Sequence, residues 1–182
     1  MPKPDVNLIS FNGPYDNNRV VDMPDPIDGT GFSDTLKFST SLQNFKGRFY
    51  WVVSGVEDAV DVNNLCNGVD VTSEMWVLKD CSMGFTIKGG SQNVRISGLV
   101  QGSGRETDVD LGNISDQSQE KTRGVRLNLK RVDNSPVRVR VLNADWPVEE
   151  PGSGPYKYVF PWRSELLRRV SVAVLELYRR LR

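Results

Sequence analysis

Along this chain, apolar side chains recur at every second position over short stretches, and each stretch is cut off by glycine, asparagine, aspartate or serine. The pattern is clearest in 84–102, GFTIKGGSQNVRISGLVQG. There Phe85 and Ile87 alternate with Thr86 and Lys88, and Val94 and Ile96 alternate with Arg95 and Ser97, on either side of a Gly-Gly-Ser-Gln-Asn turn. A period of two is the mark of half-buried strands. The same texture begins at 48–54, RFYWVVS, and predicts further strands at 56–62, 68–72, 75–78, 85–88, 94–99, 107–111, 124–132 and 137–142. No amphipathic helix fits in the gaps between them, which excludes a βαβ architecture.

The flanks read differently. Residues 1–45 are rich in proline, aspartate, asparagine and glycine, and proline fixes φ and removes a donor. They predict an extended arm with short strands at 6–11 and 36–39. A β domain spans 46–147, and 148–160 is a linker by composition. In 161–182 the period switches to that of a helix, with Ser164 as N-cap. Leu166, Leu167, Val170, Val174, Leu177, Tyr178 and Leu181 share its apolar face, and arginines lie largely beyond it. Such a helix caps an open fold, pairs with copies of itself, or lies on an anionic membrane.

Two all-β solutions fit the strands: a jelly-roll or Greek-key sandwich, or a parallel β-helix. Internal similarity favours the second. Gly84-Phe-Thr-Ile-Lys and its following strand recur as Gly124-Val-Arg-Leu-Asn and 137–142, with Gly68-Val-Asp-Val-Thr as a shorter copy. The spacing of about 40 residues corresponds to roughly two short solenoid turns. The inward set is then Phe85, Ile87, Val94, Ile96, Val109, Leu111, Val125, Leu127, Leu129, Val137, Val139 and Val141, with Asn93, Asn113 and Asn134 at corners. On these residues, IKGGSQNVRISGLVQGSG above all, the chain resembles the small right-handed parallel β-helices of pectate-lyase-like architecture, of the kind seen in virus structural proteins. The resemblance to pectin-degrading enzymes stops at the scaffold, because their Asn-Thr-Asp, Asp-Asp, Gly-His-Gly and Arg-Pro-Arg motifs are missing.

Composition narrows the chemistry. The 182 residues include no histidine and two cysteines, Cys66 and Cys81, without metal-ligand spacing, which removes the usual zinc sites and the commonest general base. The cysteines read as buried small hydrophobes. No apolar run is long enough to span a membrane, and the N-terminus lacks a signal peptide's pattern. Net charge is zero but divided: 1–120 carries 9 basic against 17 acidic residues, and 121–182 carries 14 against 6. That polarity suits contacts with further subunits or an anionic surface.

Three clusters carry candidate chemistry. Asp108, Asp110 and Asn113 have the spacing of a weak calcium site on the outer face of a strand. Arg126, Lys130, Arg138 and Arg140 alternate with apolar residues and predict a basic outer stripe able to meet an anionic polymer. Asp58 with Asp61, and Glu149 with Glu150, are loop acids that would have to supply any paired-carboxylate catalysis. The expectation is a non-enzymatic structural protein without a cofactor. It would be a homo-oligomer joined to other structural subunits, located in a virus particle or otherwise in the cytoplasm. A carbohydrate-binding or polysaccharide-cleaving module is the alternative.

Overall fold

The computed structural model describes residues 5–12, 34–38, 42–54, 58–79, 81–112 and 120–159, the first of these as a strand without its side chains. Every regular element in them is a strand: β1 Asp5–Asn12, β2 Asp34–Phe38, β3 Lys46–Ser54, β4 Asp58–Val62, β5 Asp70–Leu78, β6 Met83–Ile87, β7 Arg95–Gly102, β8 Thr107–Leu111, β9 Arg126–Arg131, β10 Val137–Val141, β11 Val148–Glu149 and β12 Tyr156–Tyr158. The helix expected over 161–182, with Leu166, Leu167, Val170, Val174, Leu177, Tyr178 and Leu181, lies outside the described residues.

Successive strands alternate between two sheets. Sheet A has the order β1-β3-β5-β7-β9-β11 and sheet B the order β12-β10-β8-β6-β4-β2. All pairings are parallel except β1 with β3. The protein is therefore a parallel β-helix, each coil adding one strand to each sheet. The two strands read within the N-terminal arm are both sheet members, β1 flanking β3 and β2 opening sheet B.

A third, narrow ladder closes the cross-section where sheet B hands over to sheet A. Gln43, Asn67, Gln92 and Arg123 bridge in parallel from coil to coil. One coil therefore takes 24 residues, the next 25 and the third 31, the surplus entering after β8. The residue after each bridge, Asn44, Gly68, Asn93 and Gly124 in turn, has positive φ, the conformation that lets the chain bend into the next strand. Asparagine and glycine alternate for a steric reason. A Cβ at Gly68 would lie 2.9 Å from Asn44 Oδ1, and one at Gly124 2.7 Å from Asn93 Oδ1.

This ladder corrects the repeat read from the sequence. Gly84 to Lys88 leads along β6 in sheet B, whereas Gly124 to Asn128 enters β9 in sheet A, so the 40-residue similarity matched strands on different sheets. The structural repeat is Leu42-Gln-Asn-Phe, Cys66-Asn-Gly-Val, Ser91-Gln-Asn-Val, Thr122-Arg-Gly-Val, whose first and last members all point into the core. Residues 68–72 and 75–78, read as two strands, are one strand with a bulge between Ser73 and Met75.

The interior is stacked in register. Leu36, Val60, Phe85, Val109 and Val139 form one column, and Phe38, Val62, Ile87, Leu111 and Val141 the next. All of the expected inward residues are buried except Val141, which is half-buried against the same core. Aromatic rings fill the first coils: Phe38 on Phe45 at 4.9 Å and Trp76 edge-on to Phe85 at 5.1 Å. Trp76 donates its indole N–H to Ser97 O at 2.9 Å, and Gly98 in the next coil leaves room for it. A Cβ at Gly98, whose φ is +137°, would sit 1.9 Å from Ser73 O. Cys66 and Cys81 are buried free thiols, and burial pushes each up to about 11.

Candidate functional site: the outer faces of the two sheets

A solenoid of two parallel sheets turns every second side chain outward, so chemistry must sit on two outer faces. Because neighbouring coils are in register, outward residues form rows that cross the strands about 4.8 Å apart.

On sheet A, three rows matter. Arg48, Thr72, Ser97 and Asn128 are in register, and the Thr72 and Ser97 hydroxyls share a hydrogen bond of 2.7 Å. Trp51, Met75, Leu99 and Lys130 form the second row, with Trp51 39% and Leu99 41% exposed and Tyr50 exposed beside Trp51. Between these rows runs an open groove of about 410 Å³, whose lining includes Thr72, Glu74, Ser97, Asn128 and Lys130. The third row is ionic. Lys46, Asp70, Arg95 and Arg126 follow one another, and Arg95 donates to Glu150 at 2.8 Å and to Asp70 at 3.2 Å.

On sheet B the outer rows are charged yet buried. Asp110 accepts both arms of Arg140, Nε at 3.0 Å and Nη2 at 2.7 Å. Hydrogen bonding to Asp110 holds Arg140 above its ordinary value. Asp108 accepts from the Gly104 and Arg138 backbone N–H groups at 3.1 and 2.9 Å, from Arg138 Nη2 at 3.2 Å and from Arg131 at 3.5 Å. Toward the first coils, Lys37 holds Asp34 at 2.9 Å and faces Asp61, which also accepts from Asn63 at 2.7 Å and lies 3.4 Å from Lys88. Burial, with Asp34 and Asp61 adding to it, pushes Asp58 up to about 8, and burial likewise raises Asp61.

This geometry regroups the expected sites. Arg126 and Lys130 lie on β9 in sheet A, but Arg138 and Arg140 lie on β10 in sheet B, so the four do not form one stripe. Consecutive strands of a coil belong to different sheets, which alternation along the sequence cannot reveal. The calcium candidates Asp108 and Asp110 do share one face, but their carboxylates are taken up by Arg138, Arg131 and Arg140; Asn113 lies outside the described residues. The presumed calcium ligands and half of the presumed stripe are thus each other's partners. Asp58 and Asp61 are not loop acids but buried members of β4, and Glu149 and Glu150 are held by Tyr158 and Arg95. Among the described residues no three His, Cys, Asp or Glu gather as a metal-binding set.

The sequence reading missed the hydroxyl row and the apolar row of sheet A. Its strands alternate correctly, but the rows exist only once the period of about 25 residues is known. Compared with protein families, curated proteins and solved structures, the chain matches none.

Proposed function

We propose that this protein is a non-catalytic structural unit of a larger assembly, a virus-particle component such as a capsid, decoration or spike protein. The observation that carries the reading is the in-register row Trp51, Met75, Leu99 with Tyr50 alongside, which lays large apolar side chains across three coils of one outer face. Exposed tryptophan and tyrosine on a rigid sheet are the chemistry of a subunit contact. A scaffold whose coils are locked by three ladders and an aromatic core transmits load rather than moving around a substrate.

A second reading draws on the neighbouring groove. Thr72, Ser97 and Asn128 offer hydroxyls and an amide in line, with Trp51 at one end of the adjacent row and Lys130 at the other. That combination suits an acidic polysaccharide laid along the solenoid axis.

Mass photometry of the full chain and of a Trp51→Ser, Leu99→Ser double variant separates the two. Stable oligomers that dissociate in the variant, with unchanged thermal unfolding of the remaining monomer, support assembly. A wild-type monomer that binds an acidic polysaccharide, and loses it on Asn128→Ala or Lys130→Ala, overturns assembly in favour of the second reading.

A further inference from the structure

Three buried acids of sheet B follow a rule, and the register pair Asp34 and Asp58 breaks it. Asp61 is in register with Lys37, Asp110 with Arg140, and Asp108 opposes Arg138 one position along the same pairing. Each of these three acids therefore has a cation on the adjacent strand, whereas Asp34 finds Lys37 on its own strand. Asp58 has Asp34 on one side and Met83 on the other. It is 2% exposed, and its Oδ1 has no hydrogen-bond partner.

The charged and titratable groups around it are Asp34 and Lys37 from β2, Asp61 from its own strand, Lys88 just beyond β6, and the Cys81 thiol before β6. Lys37 and Lys88 are already committed to Asp34 and Asp61. Three carboxylates thus share two ammonium groups. A third negative charge in so dry a place is expensive, and a proton removes it.

We infer that Asp58 is a proton-held clasp between the first two coils, closing β2 onto β4 when protonated and loosening them when it ionises beside Asp34. The direction follows from linkage. A carboxyl held above its ordinary value when the coil is closed favours closure fully below about pH 4, and that contribution is lost progressively as pH rises to about 8. Above pH 6, where Asp61 has largely ionised, one proton per opening event means a tenfold rise in the open population for each pH unit. The chain has no histidine, and both thiols titrate well above this range. Asp61, raised to about 6, ionises at the lower edge of this range, which leaves Asp58 to carry the response up to pH 8.

Pulsed hydrogen exchange on the full chain, corrected for intrinsic rates, tests this between pH 5 and 9, with ¹³C-carboxyl NMR following the aspartates directly. The expected result is opening of β2 and β4 that rises about tenfold per pH unit from pH 6 to 8 and then levels, while β8 and β10 stay flat. Asp58→Asn should abolish the rise. Asp34→Asn, which removes the opposing charge, should shift the levelling point to lower pH. A wild-type profile without the rise, a rise that survives Asp58→Asn, or an equal rise in every coil would each overturn the clasp.

Discussion

The two ends of sheet B solve the same problem in opposite ways. At the β8–β10 end, Asp108 and Asp110 are fully buried, and arginines from β10 and the end of β9 supply their partners. At the β2–β4 end, Asp34, Asp58 and Asp61 are just as buried but share two lysines. The strands are the same length, and Asp61 shares the row of Thr86, Asp110 and Arg140. Asp34 and Asp58 instead fall in the register of the inward positions with Met83 and Thr107, so the difference lies in what the adjacent coil places at the same register. In a parallel stack a buried charge is tolerated when the neighbouring strand carries its complement; where it does not, a proton takes the cation's place.

Removing Arg140 should convert the first situation into the second. Arg140→Met strands the Asp110 carboxylate, and breaking a buried pair by losing one partner costs about 3–5 kcal/mol. The cost should shrink on acidification, since protonation removes the stranded charge. Asp110→Asn should be milder, because Arg140 is partly exposed and can turn to solvent. Urea unfolding of both variants at pH 5 and 8 checks the asymmetry; equal losses in the two variants, independent of pH, would dissolve the contrast between the ends.

How much of this was readable beforehand depends on the period. The inward aliphatic residues were legible because strand alternation is local: Phe85, Ile87, Val94 and Ile96 announce their face within a few residues. Asn93 and Asn134 were legible as corners for the same reason, and both have positive φ. What sits beside what was not legible. Pairing Asp110 with Arg140 requires knowing that β8 and β10 are neighbours while β9 belongs to the other sheet. The lengthened third coil shifts that register by several residues, and the similarity between Gly84 and Gly124 pointed to the wrong partner. The signal that would have found it is the corner motif itself, Gln-Asn-Phe, Asn-Gly-Val, Gln-Asn-Val and Arg-Gly-Val, aligned on its glycine or asparagine.

Thr86 keeps the two ends apart. It lies in register between Asp61 and Asp110, fully buried and neutral. Thr86→Asp would join the clusters into a run of three like charges, and like charges directly opposite one another destabilise a sheet. The expected loss is on the order of 2 kcal/mol at pH 7, falling toward pH 4. Thr86→Val, which also removes a hydroxyl hydrogen-bonded to Asp58, should cost roughly 1 kcal/mol. Thermal unfolding at the two pH values distinguishes them, and a loss from Thr86→Asp that ignores pH would mean that volume rather than charge is at fault.

The smallest expected effect sharpens the comparison most. Lys88 lies 3.4 Å from Asp61 and lowers both Asp61 and Asp58 against the burial that raises them. It is a partly exposed point charge, whereas Arg140 grips its aspartate with two arms. Lys88→Met should therefore cost roughly 1 kcal/mol or less at pH 8 and nothing near pH 4. Its main consequence should be to move the titration of the acid-rich end upward, visible in the carboxyl resonances of Asp58 and Asp61. If Lys88→Met proved as damaging as Arg140→Met, the first coils would be held by ion pairing after all, and protonation of Asp58 would have no closing role to play.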